Sequence, residues 1–261
     1  MRFKLKTLAA AAILATAGQA FAAVSAANST NGTEVIFYAW DQVTQTSYVF
    51  DTGLSFASFR TASVAANTNQ SFAFSGTEWN SFVSSVGGDF SNTTWGVMAL
   101  KQGLSTVDGG VALATTVTAN GDLIAAEQTS GNIKTINTFL NPLILAANTS
   151  GLAGASHQTG DFASVSDGAA YWGNVLKSDY AVKLNLTADN TVGTDSYKFY
   201  LVEAARLSSN APAVSEYAGE WSFNGTTLNY AVAAVPEPES YAMLLAGLGL
   251  MGAVARRRRL K

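Results

Sequence analysis

One histidine, His157, stands in Gly-Ala-Ser-His-Gln-Thr-Gly, with Asp161 and Asp167 a few residues further on. A Ser-His-Asp relay needs a serine hydroxyl within hydrogen-bond reach of the imidazole and a carboxylate behind it. No serine lies in a Gly-x-Ser-x-Gly turn, and nearness along a loop is not that geometry, so these residues predict an exposed loop histidine. Zinc needs three or four Cys, His or carboxylate ligands, and a chain with one histidine and no cysteine has few to offer. The segment Asp189-Asn190-Thr191-Val192-Gly193-Thr194-Asp195 places oxygen donors around a glycine but matches no EF-hand loop, and a plain turn between strands is expected. A glycosidase pair of carboxylates is set by the fold rather than by spacing, and the sequence singles out none. Five tryptophans and nine tyrosines supply rings able to stack on sugars, although aromatic residues at strand positions are usually core. The triplets Asn-x-Ser/Thr at Asn28, Asn31, Asn69, Asn92, Asn148, Asn185 and Asn224 follow from an Asn-, Ser- and Thr-rich composition. The expectation is a protein without catalytic activity, cofactor or metal.

The elements that would have to position any such group are mostly short strands. Thr33 to Trp40 and Thr46 to Phe50 are rich in β-branched and aromatic residues and are bounded by Gly32, Asp41 and Asp51-Thr52-Gly53. From Thr77, apolar Trp79, Phe82, Val83 and Val86 recur at one face of a short helix that Gly87-Gly88 ends. Trp95 to Lys101 and Val111 to Thr118 are further strands, the latter between turn signals at Asp108-Gly109 and Asn120-Gly121. Ile133, Ile136, Leu140, Leu143, Ile144 and Ala147 return to helical spacing, with Ser130 as cap and Gly151 as stop, and Pro142 inside the pattern predicts either a kink or two shorter helices. After a polar loop over 151–168, strands are expected at Ala169 to Leu176, Tyr180 to Thr187 and Ser196 to Ala204. Glu220 to Phe223 and Thr226 to Tyr230 flank Asn224-Gly225, the preferred pair for a type I′ hairpin turn, and Ala231 to Val235 leads on into a linker. Eight or so strands separated by turns predict an all-β domain over 23–235, mainly an antiparallel β-sandwich with one or two short covering helices.

The two ends of the chain have a different character. Arg2, Lys4 and Lys6 precede an apolar run from Leu8 to Ala17 and a small-x-small site at Ala20-Phe21-Ala22, the pattern of a secretory signal peptide over 1–22 cleaved after Ala22. At the other end, Val235-Pro236-Glu237-Pro238 is held extended by its two prolines. Ser240 then caps an uncharged helix over 241–255, and Arg256, Arg257, Arg258 and Arg259 follow. Fifteen residues at 1.5 Å rise give about 22 Å, a marginal anchor that snorkelling arginines extend. The arginines mark the cytoplasmic side. Three of the fifteen Lys and Arg lie in the signal and five in the tail, leaving seven; two of the eighteen acids lie in the tail, leaving sixteen. The segment 23–235 is therefore −9, which disfavours nucleic acid and anionic surfaces. No cysteine is present, so the exported domain must rest on its core rather than on disulfides.

Val-Pro-Glu-Pro-Glu-Ser, a glycine-dotted apolar helix and a short arginine cluster resemble the PEP-CTERM sorting signal of exported bacterial proteins. The resemblance covers residues 236–261 with Val235 and implies export through the inner membrane, in line with the Sec and signal-peptidase processing that the N-terminal pattern predicts. It further implies transient inner-membrane anchoring facing the periplasm, cleavage by an exosortase near Pro236-Glu237-Pro238, and delivery to the cell surface or exopolysaccharide matrix of a biofilm. The expected role is a non-enzymatic surface or matrix protein of a Gram-negative bacterium. The alternative is an exopolysaccharide-binding module, and behind that a polysaccharide-acting hydrolase.

Overall fold

The computed structural model describes residues 32–60, 65–104, 110–116, 158, 160–175, 190–204 and 213–233, together with Gly247, Leu248 and Met251. Within them the chain forms β1 (Glu34–Asp41), β2 (Thr46–Ser55), β3 (Gln70–Ala73), helix α1 (Thr77–Ser85), β4 (Thr93–Leu104), β5 (Gly110–Thr116), β6 (Gly160–Ser164), β7 (Asn190–Thr191), β8 (Ser196–Ala204), β9 (Ala213–Phe223) and β10 (Thr227–Val232). All the pairings are antiparallel and join one sheet in the order β3-β10-β9-β8-β5-β4-β1-β2-β6, with the short β7 alongside β4. The all-β, antiparallel expectation holds. In place of a sandwich of two sheets there is one sheet curled over on itself, because the hydrogen bonding runs on without a break through β5 and β8.

The curl is driven by rings. Phe37 on β1 lies 4.8 Å from Phe223 on β9, and Phe50 on β2 lies 4.8 Å from Phe74, just after β3. Strands remote in the sheet order thus meet face to face, and edge-to-face aromatic contacts favour such close centroids. Alternate residues supply this inner face: Val35, Phe37 and Ala39 from β1, Trp95, Val97 and Ala99 from β4, Tyr197, Phe199 and Leu201 from β8. That is the period of two expected of strands with one face to a core. The other face of the central strands is buried as well, so that β1 is closed to solvent along its whole length. There Tyr38 stacks on Trp172 and lies over Gly96, where any Cβ would fall 2.2 Å from the phenol oxygen.

Helix α1 falls where the spacing of Trp79, Phe82, Val83 and Val86 predicts it, with Trp79 and Phe82 buried. Gly87 and Gly88 follow at positive φ, and the Gly88 N–H returns to the Val83 carbonyl at 2.9 Å, which closes the last turn. The helix lies against β2 and β6. Its Glu78 carboxylate accepts the outward Phe162 N–H of β6 at 3.3 Å, so an edge strand that would otherwise offer a free amide is capped.

Three local expectations are corrected. Of the strand expected at Ala169 to Leu176, the described part through Val175 is not a strand: residues 165–170 form a 3-10 turn and Gly173–Val175 a single helical turn. Ser164 and Asp167 form a capping box that starts this turn, and Gly168 at φ 64 bends it, so the strand instead falls earlier, at Gly160–Ser164. The Asn224-Gly225 hairpin is present, but Phe223 pairs with Leu228, and Gly225 alone has positive φ. The Asn224 side chain accepts the Thr226 and Thr227 amides, which makes a wider Asx-closed loop in place of a type I′ turn. β9 also begins at Ala213, seven residues before the expected start. The apolar pattern over 133–147, the strand at Tyr180 to Thr187 and the turns at Asp108-Gly109 and Asn120-Gly121 lie outside the described residues.

Candidate functional site

The residues first considered for catalysis are not brought together as a site among the described residues. His157 lies outside them. Asp161 is buried on β6, whereas Asp167 is exposed and accepts the Ser164 amide and hydroxyl, each at 2.7 Å. Those two hydrogen bonds hold the Asp167 carboxyl below the usual aspartate range. Of the oxygen-rich segment, Asp189 lies outside the described residues, and Asn190–Thr191 is strand β7. The Thr191 carbonyl accepts the Trp95 indole N–H at 2.9 Å, the Thr191 amide donates to the Tyr197 hydroxyl at 3.0 Å, and Gly193 N–H donates to the Phe223 carbonyl at 2.9 Å. Its backbone is thus spent on holding a turn against β4 and β9, as a plain connector would be. Among the described residues no three His, Cys, Asp or Glu side chains gather as metal ligands.

Among the described residues the tryptophan and tyrosine rings do not line the surface either. All five tryptophans, Trp40, Trp79, Trp95, Trp172 and Trp221, are buried, and so are the seven described tyrosines. Tyr48 shows what this does to chemistry. Its phenol sits over Gly160, where a Cβ would meet the oxygen at 2.1 Å. Burial first, then the negative charges of Glu78 and Asp161, push its pKa up. A phenol shifted that way keeps its proton and acts as a packed ring, the opposite of a poised base.

The place where the chain carries recognisable function is where its ends leave the sheet. At the N-terminal side Thr33 is clamped onto β4: its N–H donates to the Leu100 carbonyl at 2.7 Å and its hydroxyl accepts the Leu100 N–H at 2.8 Å. Gly32 fits there at φ 76 because a Cβ would fall 2.6 Å from the Leu100 oxygen. At the C-terminal side β10 is gripped by β9 on one flank and β3 on the other. Its last residue, Val232, donates its N–H to the Asn69 side-chain oxygen at 2.8 Å, and the Tyr230 hydroxyl donates to the Ala66 carbonyl at 2.8 Å. The Asn69 clamp was invisible in the sequence because its partner stands 163 positions away. No local signal announces it.

The signal-peptide residues Ala20 and Ala22, the motif Val235, Pro236, Glu237 and Pro238, and Arg256 to Arg259 lie outside the described residues. Within the expected membrane segment Gly247, Leu248 and Met251 are helical, and the apolar Leu248 and Met251 are more than half exposed. Among the described residues no helix is long and apolar enough to cross a membrane. No curated protein and no solved structure matches this chain. Residues 234–259, by contrast, match the family model of the PEP-CTERM protein-sorting motif, which implies export, sorting to the cell surface and an exosortase as processing partner. The chain carries a PEP-CTERM protein-sorting motif directly behind the last strand of its β-domain.

Proposed function

We propose that this protein is exported through the inner membrane, held there by residues 241–255, cleaved by an exosortase near Pro236-Glu237-Pro238, and left at the cell surface or in the exopolysaccharide matrix as a non-enzymatic component. The sorting motif at 234–259 carries this reading. The signal-peptide pattern of residues 1–22 supports it from the other end. The chemistry of the domain supports it too: the tryptophans build the core, the Tyr48 phenol keeps its proton, and the oxygen-rich turn at 190–195 is committed to backbone structure. A Gram-negative host follows from the processing route.

The test is the intact mass and location of the native protein in cells with and without the exosortase. The expected outcome is a form beginning near Ala23 and ending near Pro236, found outside the cell and lost without the enzyme. A protein that stays in the cytosol with both ends intact would refute the reading. Binding of the purified domain to the host's own polymer is the measurement that would turn the role from matrix component to exopolysaccharide-binding module.

A further inference from the structure

The pairing register places both attachment points of the chain at one end of the sheet. Val232 pairs with Gly219 while Tyr230 pairs with Gln70, so the end of β10 and the start of β3 lie together. Following the register across the sheet, Ala213 pairs with Glu203, Ala204 with Val111, Gly110 with Leu104, and Glu34 with Ser55. The start of β1 therefore leaves from the same end as the tail. The opposite end carries the turn between Asp41 and Thr46, the Phe223–Leu228 hairpin loop and the start of β4.

Only Ala233, Ala234 and Val235 separate the last strand residue from Pro236. At 3.3–3.6 Å per residue this segment lets Pro236 lie at most about 14 Å from Val232. A cleavage site that must reach a membrane-embedded peptidase then brings the folded domain to the bilayer by this end. Among the described residues Arg60, ion-paired to Glu203 at 2.9 Å, and Lys101 stand with Glu34 near the tethered end and leave it without net charge, whereas the exposed Asp89, Asp167 and Asp195 make the other end acidic. β4 alone has twelve residues, so the far end stands about 40 Å away, several screening lengths from an anionic surface.

We propose that, before processing, the domain docks on the phospholipid surface by the end that carries Gly32, Ala57, Arg60, Lys101 and Val232, and presents the turns at 42–45, 86–92, 165–170 and 224–226 away from the membrane. The inference deepens the sorting reading and rests on it. It makes the short tether an orienting device: the acidic, turn-bearing end faces outward while the protein is anchored.

The chain has no cysteine, so single thiols report each end without background. Ala57→Cys lies at the tethered end and Val43→Cys, at a side chain 71% exposed, at the far end. The full chain would be expressed in cells lacking the exosortase, and spheroplasts treated with a bulky, membrane-impermeant maleimide. The expected result is several-fold slower labelling of Ala57→Cys than of Val43→Cys in the tail-bearing membrane form. The two rates should converge once the membrane is dissolved in mild detergent, with native tryptophan emission confirming that both variants remain folded. Equal rates in the membrane-held form would overturn the docked orientation while leaving the sorting reading intact. Failure to find any tail-bearing form in the membrane fraction would overturn the sorting reading, and the docking with it.

Discussion

Asp41 and Tyr217 are both buried polar side chains in the same sheet, and they are accommodated in opposite ways. Asp41, at the turn between β1 and β2, accepts the Val43 amide at 3.0 Å, the Thr44 amide at 2.8 Å and the Thr44 hydroxyl at 3.0 Å on one oxygen, and the Thr93 hydroxyl at 3.1 Å on the other. The Thr44 hydroxyl goes on to Thr46, Thr46 to Ser85, and Ser85 to the Phe82 carbonyl, so the carboxylate ties two strands to helix α1. The Tyr217 hydroxyl, set among Phe59, Phe199 and the rest of the ring cluster, has no hydrogen-bond partner among the described residues. Burial pushes its pKa up, with the neighbouring Tyr230 adding to the shift. One site is polar because polarity holds the turn together. The other is an aromatic packing position that happens to carry an oxygen.

The sharpest way to break that comparison is at Asp41. Removing a buried, charged acceptor that serves two turn amides and two hydroxyls, and that leaves the buried Thr93 hydroxyl without it, costs about 1.5–3 kcal/mol. Asp41→Ala should therefore lower the denaturation midpoint of the 23–235 domain by more than any other change discussed here. Asp41→Asn, which retains one acceptor oxygen, should recover part of the loss. Denaturant unfolding followed by tryptophan fluorescence measures both, and an Asp41→Ala protein as stable as wild type would show that the network merely decorates the turn.

Tyr230 stands between the two cases and sharpens the contrast. Its hydroxyl donates to the Ala66 carbonyl and accepts the Gly219 amide at 3.0 Å, so Tyr230→Phe should cost about 1–2 kcal/mol. Its titration gives a second handle. Burial, partly offset by the Gly219 hydrogen bond, raises its pKa from 10.0 to about 12. A neutral phenol is thus favoured by the folded state, and the unfolded chain loses its proton first as pH rises. The resulting contribution is complete below about pH 10 and disappears between about pH 10 and pH 12. Ultraviolet titration of the phenolates should show these core tyrosines ionising only with alkaline unfolding, and Tyr230→Phe should make the loss with rising pH less steep.

How much of this was legible in the sequence depends on the range of the interaction. The α1 pattern with its double-glycine stop, the β1 and β2 runs and the Asn-Gly hairpin are written within a few residues, and all appear close to their expected places. Closure of the sheet into a single curl rests on contacts such as Phe37 with Phe223, which no local window contains. The missed strand at Gly160–Ser164 is of the same kind: a glycine start and two serine-rich flanks read as loop, yet pairing with β2 and burial of Asp161 and Ala163 outweigh propensity. The sorting motif is the extreme of legibility, since its prolines, apolar run and arginines all stand within residues 234–259. The Asn69 clamp on Val232, which decides where that segment starts, is the extreme in the other direction.

The smallest expected effect is also the one with the unusual sign. Tyr217→Phe removes only a buried hydroxyl that has no partner among the described residues, while keeping the ring that stacks on Phe59 at 5.7 Å and meets Phe199 at 4.6 Å. An unpaired buried hydroxyl costs about 1–3 kcal/mol relative to a paired one, so its deletion should leave the domain as stable as before or raise its stability by up to about 1 kcal/mol. Tyr217→Leu, which discards the ring, should destabilise by about 1–3 kcal/mol, because the cost then comes from packing. Measured side by side in denaturant, the pair separates ring from oxygen. A Tyr217→Phe protein that lost as much as Tyr230→Phe would place a hidden partner on the hydroxyl, and the contrast between a network site and a packing site would fall.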